Sequence, residues 1–195
     1  MMKTTLQLIC LSVLAFTGFA AKAAETYNLD PAHSTVGFAV THMVINTVHG
    51  KFNDFSGALT LDGGQVKEAT GTIQTKSIDT GIERRDNHLR SPDFFDAAKF
   101  PTITFKSKRA EKQGSDMVLV GDFTMHGVTK ELSLPVTVKG PIKDPWGNSR
   151  IGLQARAKLN RQDYGLKYNQ ALETGGLVVA NEIELEINAE AVKAK

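Results

Sequence analysis

Along most of this chain, bulky apolar residues occupy every second position, and that period decides what the chain can fold into. Val36, Phe38 and Val40 alternate with Thr35, Gly37, Ala39 and Thr41. Phe55, Gly57, Leu59 and Leu61 repeat the pattern up to the turn Asp62-Gly63-Gly64. Further alternating runs start at Ile103, Met117 and Leu132. The clearest are Ile151, Leu153, Ala155, Ala157 and Leu159, and Ile183, Leu185 and Ile187 interleaved with Glu182, Glu184 and Glu186. Side chains alternate across a strand, so each run predicts an antiparallel strand with one face to a core and one to water. Strand-like runs at 27–29, 48–52 and 69–78 bring the expected total to roughly eight to ten, an all-β sandwich or closed barrel. The one interior stretch that reads as helix is Thr80 to Arg90. An irregular segment at 94–100 and long loops at 140–148 and 161–176 complete the chain.

The first 23 residues are expected to be a signal peptide, removed on export. Lys3 supplies a positive start, Leu6 to Phe19 is uncharged and largely apolar, and Ala21-Lys22-Ala23 fits an A-x-A cleavage site. Residues 24–195 then form one domain, long enough to bury a substantial core. Of the 23 Lys and Arg, Lys3 and Lys22 lie in the leader, leaving 21 against 21 Asp and Glu. A neutral chain of this kind gives no reason to expect a nucleic-acid partner. The single cysteine, Cys10, also lies in the leader. The mature chain therefore has no thiol for catalysis, metal binding or disulfides.

A barrel of about eight strands either fills its interior or leaves space for one small ligand. Several positions expected to face inward are small: Gly37, Ala39, Gly57, Ala69, Gly71, Gly121, Ala155 and Ala157. Two accounts fit them, a hollow apolar lumen or a set of bends and bulges. In the first account Val36, Phe38, Val40, Phe55, Phe105, Phe123 and Leu153 line the lumen.

The residues that could carry chemistry are few. His33, His42, His49, His88 and His126 show no metal-binding spacing, and no metal site is expected. There is no nucleophile elbow, and His33 and Ser34, being adjacent on a strand, face opposite ways. His42 shares the phase of Val36, Phe38 and Val40, and Asn181 that of Val179, Ile183 and Leu185. Each can be a hydrogen-bonded rim residue or a contact for a ligand head group. The densest cluster is Glu83-Arg84-Arg85-Asp86-Asn87-His88-Leu89-Arg90. On a helix Asp86 and His88 point about 200° apart, a poor acid–base dyad, whereas Asp86 and Arg90 are spaced for an ion pair.

Several motifs in order resemble one family. They are Asp30-Pro31-Ala32-His33-Ser34 with Val36, Phe38 and His42; Gly50-x-Phe52-x-x-Phe55-x-Gly57; and Arg85-Asp86-x-His88-Leu89-Arg90-Ser91-x-Asp93-Phe94-Phe95-Asp96. Lys99-Phe100-Pro101-x-Ile103-x-Phe105, Gly121-Asp122-Phe123-Thr124, Gly127-Val128-Thr129-Lys130, Trp146-Gly147-Asn148 and Asp163-Tyr164-Gly165 follow. Together they are similar to the YceI-like proteins over nearly the whole mature chain. The resemblance implies an eight-stranded antiparallel lipocalin-like barrel in the bacterial periplasm. Its apolar lumen would hold an isoprenoid quinone, a polyprenyl phosphate or a similar long-chain amphiphile.

The expected function is thus a non-catalytic periplasmic carrier, with no cofactor beyond the bound lipid. Arg85 and His88, with Arg90, have the right chemistry to meet a polar head group at the mouth. Expected partners are the lipid, a membrane or membrane protein in transient contact, and a second copy of the chain, seated on an edge strand or on exposed aromatics such as Phe94 and Phe95. Two other readings stay open: a stress-related interaction protein with a filled barrel, and a hydrolase using His88 and Asp86 or His42.

Overall fold

A computed structural model describes residues 24–113, 116–173 and 175–195. The expected signal peptide, residues 1–23, lies outside the described residues. The alternating runs form ten strands: β1 (Glu25–His42), β2 (Asn46–Phe52), β3 (Phe55–Asp62), β4 (Gln65–Gln74), β5 (Ile78–Asp79), β6 (Thr102–Gln113), β7 (Asp116–Met125), β8 (Val128–Lys143), β9 (Ser149–Asn160) and β10 (Val179–Lys193). Eight of them, all but the short β2 and β5, make a closed antiparallel barrel, sealed where β10 pairs with β1. Closure gives each of these eight strands a neighbour on both sides, while β5 ends the branch through β2.

The 18-residue β1 changes neighbour along its length. Its first part, Glu25–Asn28, pairs with β3, and its second part, Val36–His42, pairs with β2. A register shift between Asp30 and Thr35 separates the two. β2 leaves the barrel wall and pairs with β5, which leads into the helix α1 (Glu83–Arg90). β2, β5 and α1 therefore form a flap across one end.

The helix starts three residues later than its charge pattern predicts. Gly81 has φ +78°, and the carboxylate of Asp86 turns back to accept hydrogen bonds from the Thr80 amide and hydroxyl. These contacts hold residues 80–82 in a turn instead of the first turn of helix.

The two accounts of the small residues each hold at different positions. Gly71 faces the interior, where a Cβ would meet nothing within 4 Å. At Gly121 a Cβ would stand 2.4 Å from the Lys106 carbonyl oxygen, beside the β6 register shift at Ser107–Arg109, so this glycine serves close backbone approach. Gly57 makes room for Leu29. Gly37 and Ala39 depart from expectation. They stand directly opposite Lys51 and His49 on β2 and Glu186 and Glu184 on β10, and cross-strand partners share a face, here the outer one.

The buried core has two parts. At the end where β1 begins, Tyr27, Leu61, Val66 and Ile151 pack together, and Tyr27 is 1% exposed. Toward α1, Phe38, Phe52, Ile78, Ile103, Phe123 and Leu166 form the second part. Phe95 reaches the Phe52 ring at 6.1 Å, which ties the segment after α1 onto the flap.

Candidate ligand cavity

Between the two halves of the core runs a cavity with about 180 Å³ of open space. Its lining extends on β10 from Val179 to Ile187, about 26 Å of strand at 3.3 Å per residue. So small a volume over so long a path describes a slot of chain width. The interior is not filled, contrary to the reading of a solid barrel.

Val36, Phe38 and Val40 of β1 face this slot, as do Phe55, Phe105, Phe123 and Leu153 from β3, β6, β7 and β9. Strand phase therefore places all seven of the expected lining residues. Leu89 of α1 and the two aromatics Phe94 and Phe95 roof the slot at the flap end. Phe94 is buried. Phe95 is half-buried, so these two aromatics are less exposed than expected.

The four expected head-group residues all lie outside the lining. Arg85 donates from Nε to the Thr80 hydroxyl at 2.7 Å and from Nη2 to the Thr80 carbonyl at 2.8 Å. His88 Nε2 lies 2.9 Å from Asp93 Oδ2, and its ring meets Phe94 and Tyr168 edge-on with centroids 5.1 and 5.0 Å away. His42 pairs with Asn46 and Val179 at the end of β1, one step beyond the last lining residue Val40. Asn181 is close but turned to another role: its Oδ1 accepts from Arg161 Nη2 at 3.4 Å.

Asp86 and Arg90 do not form the ion pair that their spacing predicts. Asp86, 6% exposed, is engaged by Thr80, and Arg90 donates to the carbonyls of Lys76 and Ile78 at 2.8 and 2.7 Å. Both charges instead satisfy main-chain groups that the short β5 leaves without ladder partners. The cluster locks α1 onto β5 and the residues on either side of it. Asp86 and His88, committed to Thr80 and Asp93, make no dyad.

The residue that sequence reasoning passed over is Arg161. It is 2% exposed and, among the described residues, the only ionisable side chain in the lining. Its guanidinium donates to the carbonyls of Ala180, Leu166 and Val179 and to Asn181. Burial alone pushes its pKa below the ordinary arginine value. A signal was present: Arg161 continues the inward phase Ile151, Leu153, Ala155, Ala157, Leu159 by one more step.

A second cluster lies at the opposite end. Arg150 donates to Asp30 at 2.8 Å, Asp144 at 2.8 Å and Glu190 at 3.2 Å. Beside it His33 Nδ1 lies 2.9 Å from Asp30 Oδ2. Asp30, His33 and Glu190 thus gather three metal-capable groups, but the guanidinium already satisfies both carboxylates. Asp144 also accepts from the amides of Trp146 and Asn148, which folds the 144–148 loop back on itself.

A closed eight-stranded antiparallel barrel around a narrow apolar cavity, with one short helix over its end, defines a lipocalin-like barrel. The chain belongs to the YceI-like family, whose domain model matches residues 27–191. Protein YceI of Salmonella newport is 36% identical over 198 aligned residues, covering 100% of both chains. The crystal structure of Burkholderia cenocepacia BcnA superposes with a TM-score of 0.73 at 22% identity, over 83% of this chain and 98% of that one. A structure described as a polyisoprenoid binding domain from Saccharophagus degradans matches with a TM-score of 0.66 at 20% identity, over 86% and 98%. These two show the shared fold.

Proposed function

We propose that this protein is a non-catalytic periplasmic carrier that holds the tail of a linear isoprenoid amphiphile in its slot. The apolar slot itself carries the reading, because a channel of chain width accepts a linear tail and rejects a compact ring system. The likeness in fold to a polyisoprenoid binding domain supports it. Burying about 300 Å² of tail at roughly 25 cal/mol per Å² contributes about 7 to 8 kcal/mol, which offsets much of the cost of association. No cofactor is needed for that, and Val36, Phe38, Val40, Phe55, Phe105, Phe123 and Leu153 supply the contacts.

Loading occurs at the flap end. There Tyr168 packs on Phe94 with ring centroids 4.8 Å apart, joining segment 161–178 to the segment after α1. At the same end the β1–β2 turn presents Met43, Val44 and Ile45, with Val44 65% and Ile45 86% exposed. We assign this tip to transient contact with a bilayer, from which so apolar a ligand must be drawn.

The test is to purify the full chain from cells with intact membranes, extract it with organic solvent and identify the extract by mass spectrometry. A stoichiometric long-chain isoprenoid is expected. Empty protein that also takes up no isoprenoid quinone, alcohol or phosphate would overturn the proposal.

A further inference from the structure

Arg161 is a buried cation without a counter-charge. Its four acceptors are three main-chain carbonyls and one side-chain amide, all neutral. It takes part in none of the ion pairs among the described residues, and the nearby carboxylate of Asp163 is 3.6 Å from Lys130. A guanidinium carries five N–H donors, so four hydrogen bonds leave one, on Nη1, unused. Keeping such a group charged and out of water is costly unless an anion joins it.

Its position is equally specific. Among the described residues the lining holds no other charge, and Arg161 sits at the flap end of it, flanked by Leu166 and Val179. A tail lying along the slot from Val179 toward Ile187 would bring its polar end to this guanidinium.

We propose that Arg161 is the anion receptor of the slot, selecting amphiphiles whose head is a phosphate or carboxylate over neutral ones of equal tail. This rests on the reading that the slot holds an amphiphile. The unused Nη1 donor makes the first charge-assisted bond, and Asn181, already bonded to Nη2, orients the group. The same contacts also pin segment 161–178 to β10, so the receptor and the wall of the slot are one unit.

The test compares ligands of equal tail on the delipidated full chain at low salt: geranylgeranyl phosphate against geranylgeraniol, and palmitate against hexadecanol. The phosphate is expected to bind at least about tenfold more tightly than its alcohol, a difference of about 1.4 kcal/mol. The palmitate pair shows whether a carboxylate serves as well. In Arg161→Met the ratio of anion to alcohol affinity should fall to about one, whatever the affinity for the alcohol itself becomes, and Arg161→Lys should retain part of the preference. Equal wild-type affinity for anionic and neutral ligands would overturn the proposal and leave the slot reading intact. So would a preference that survives in folded Arg161→Met. If Arg161→Met does not fold, the wild-type comparison decides alone. Binding of none of the four would refute the slot reading itself, and this proposal with it.

Discussion

Arg150 Nη1 lies 2.8 Å from Asp30 Oδ2, a contact between residues 120 positions apart that clamps the start of β1 to β9. The same guanidinium holds Asp144 in the next loop. Arg150, followed by His33, holds the Asp30 carboxyl down at about 2, and Arg150, with Asn148, holds Asp144 at about 2, against an ordinary 3.8.

A carboxylate whose pKa falls on folding stabilises the native state above its unfolded value and loses that contribution as pH drops through the folded one. Stability from this clamp should therefore be complete above about pH 4 and decline between about pH 4 and pH 2. Urea midpoints measured across that window should fall steeply in wild type. In Arg150→Met they should start lower at pH 7 and fall less between pH 4 and pH 2.

Phe38 is spread over Gly50, its direct cross-strand partner. A Cβ at Gly50 would stand 2.3 Å from the ring's Cζ. Gly50→Ala must push the ring aside and overpack the slot wall, so a loss of about 1 to 3 kcal/mol is expected in chemical denaturation. The companion Phe38→Leu, Gly50→Ala double variant should recover most of it.

Gly71 offers the converse case, since an inward side chain there meets open space. Gly71→Leu should leave the thermal midpoint within a few degrees of wild type and block the slot. Retention of an isoprenoid probe should drop by at least about tenfold, read by fluorescence displacement or mass spectrometry. A plugged barrel that still bound the probe would place the ligand elsewhere.

Met43 and Val44 carry φ angles of 51° and 64°, in a tight turn closed by the Ile45 amide on the His42 carbonyl at 3.2 Å. Such turns favour Asn-Gly, and a β-branched residue there is strained by about 1 to 3 kcal/mol. Replacing Met43-Val44 by Asn-Gly should raise stability by about that amount. The same change, or Ile45→Asp, should slow lipid uptake from vesicles without altering affinity for a soluble probe. Trp146→Asp is the control. Although Trp146 is 80% exposed, it stands at the opposite end, and its loss should leave uptake unchanged.

The barrel was legible in the sequence because the β period is local: each inward run names its own face without reference to any other strand. That is why seven lining residues could be named before any contact was known. The receptor was not legible for a related reason. Arg161 is the first residue beyond β9, past the end of the alternating run, and its acceptors arrive from Leu166 and from Val179 to Asn181 across the loop. Conversely, Arg85, Asp86 and His88 drew attention by their density. In the structure main-chain groups around β5 engage Arg85, Asp86 and Arg90, and His88 is held by the Asp93 carboxylate.

Arg161 stands at the flap end of the slot, and Ile187 ends its lining on β10. Tilted by some 40°, the 26 Å of lined strand corresponds to about 20 Å along the barrel axis. A tail shorter than this span leaves unfilled space beyond its end, and a longer one must fold back or protrude past the flap. On the carrier reading, the wall from Val179 to Ile187 therefore matches a tail of about 20 Å counted from the guanidinium.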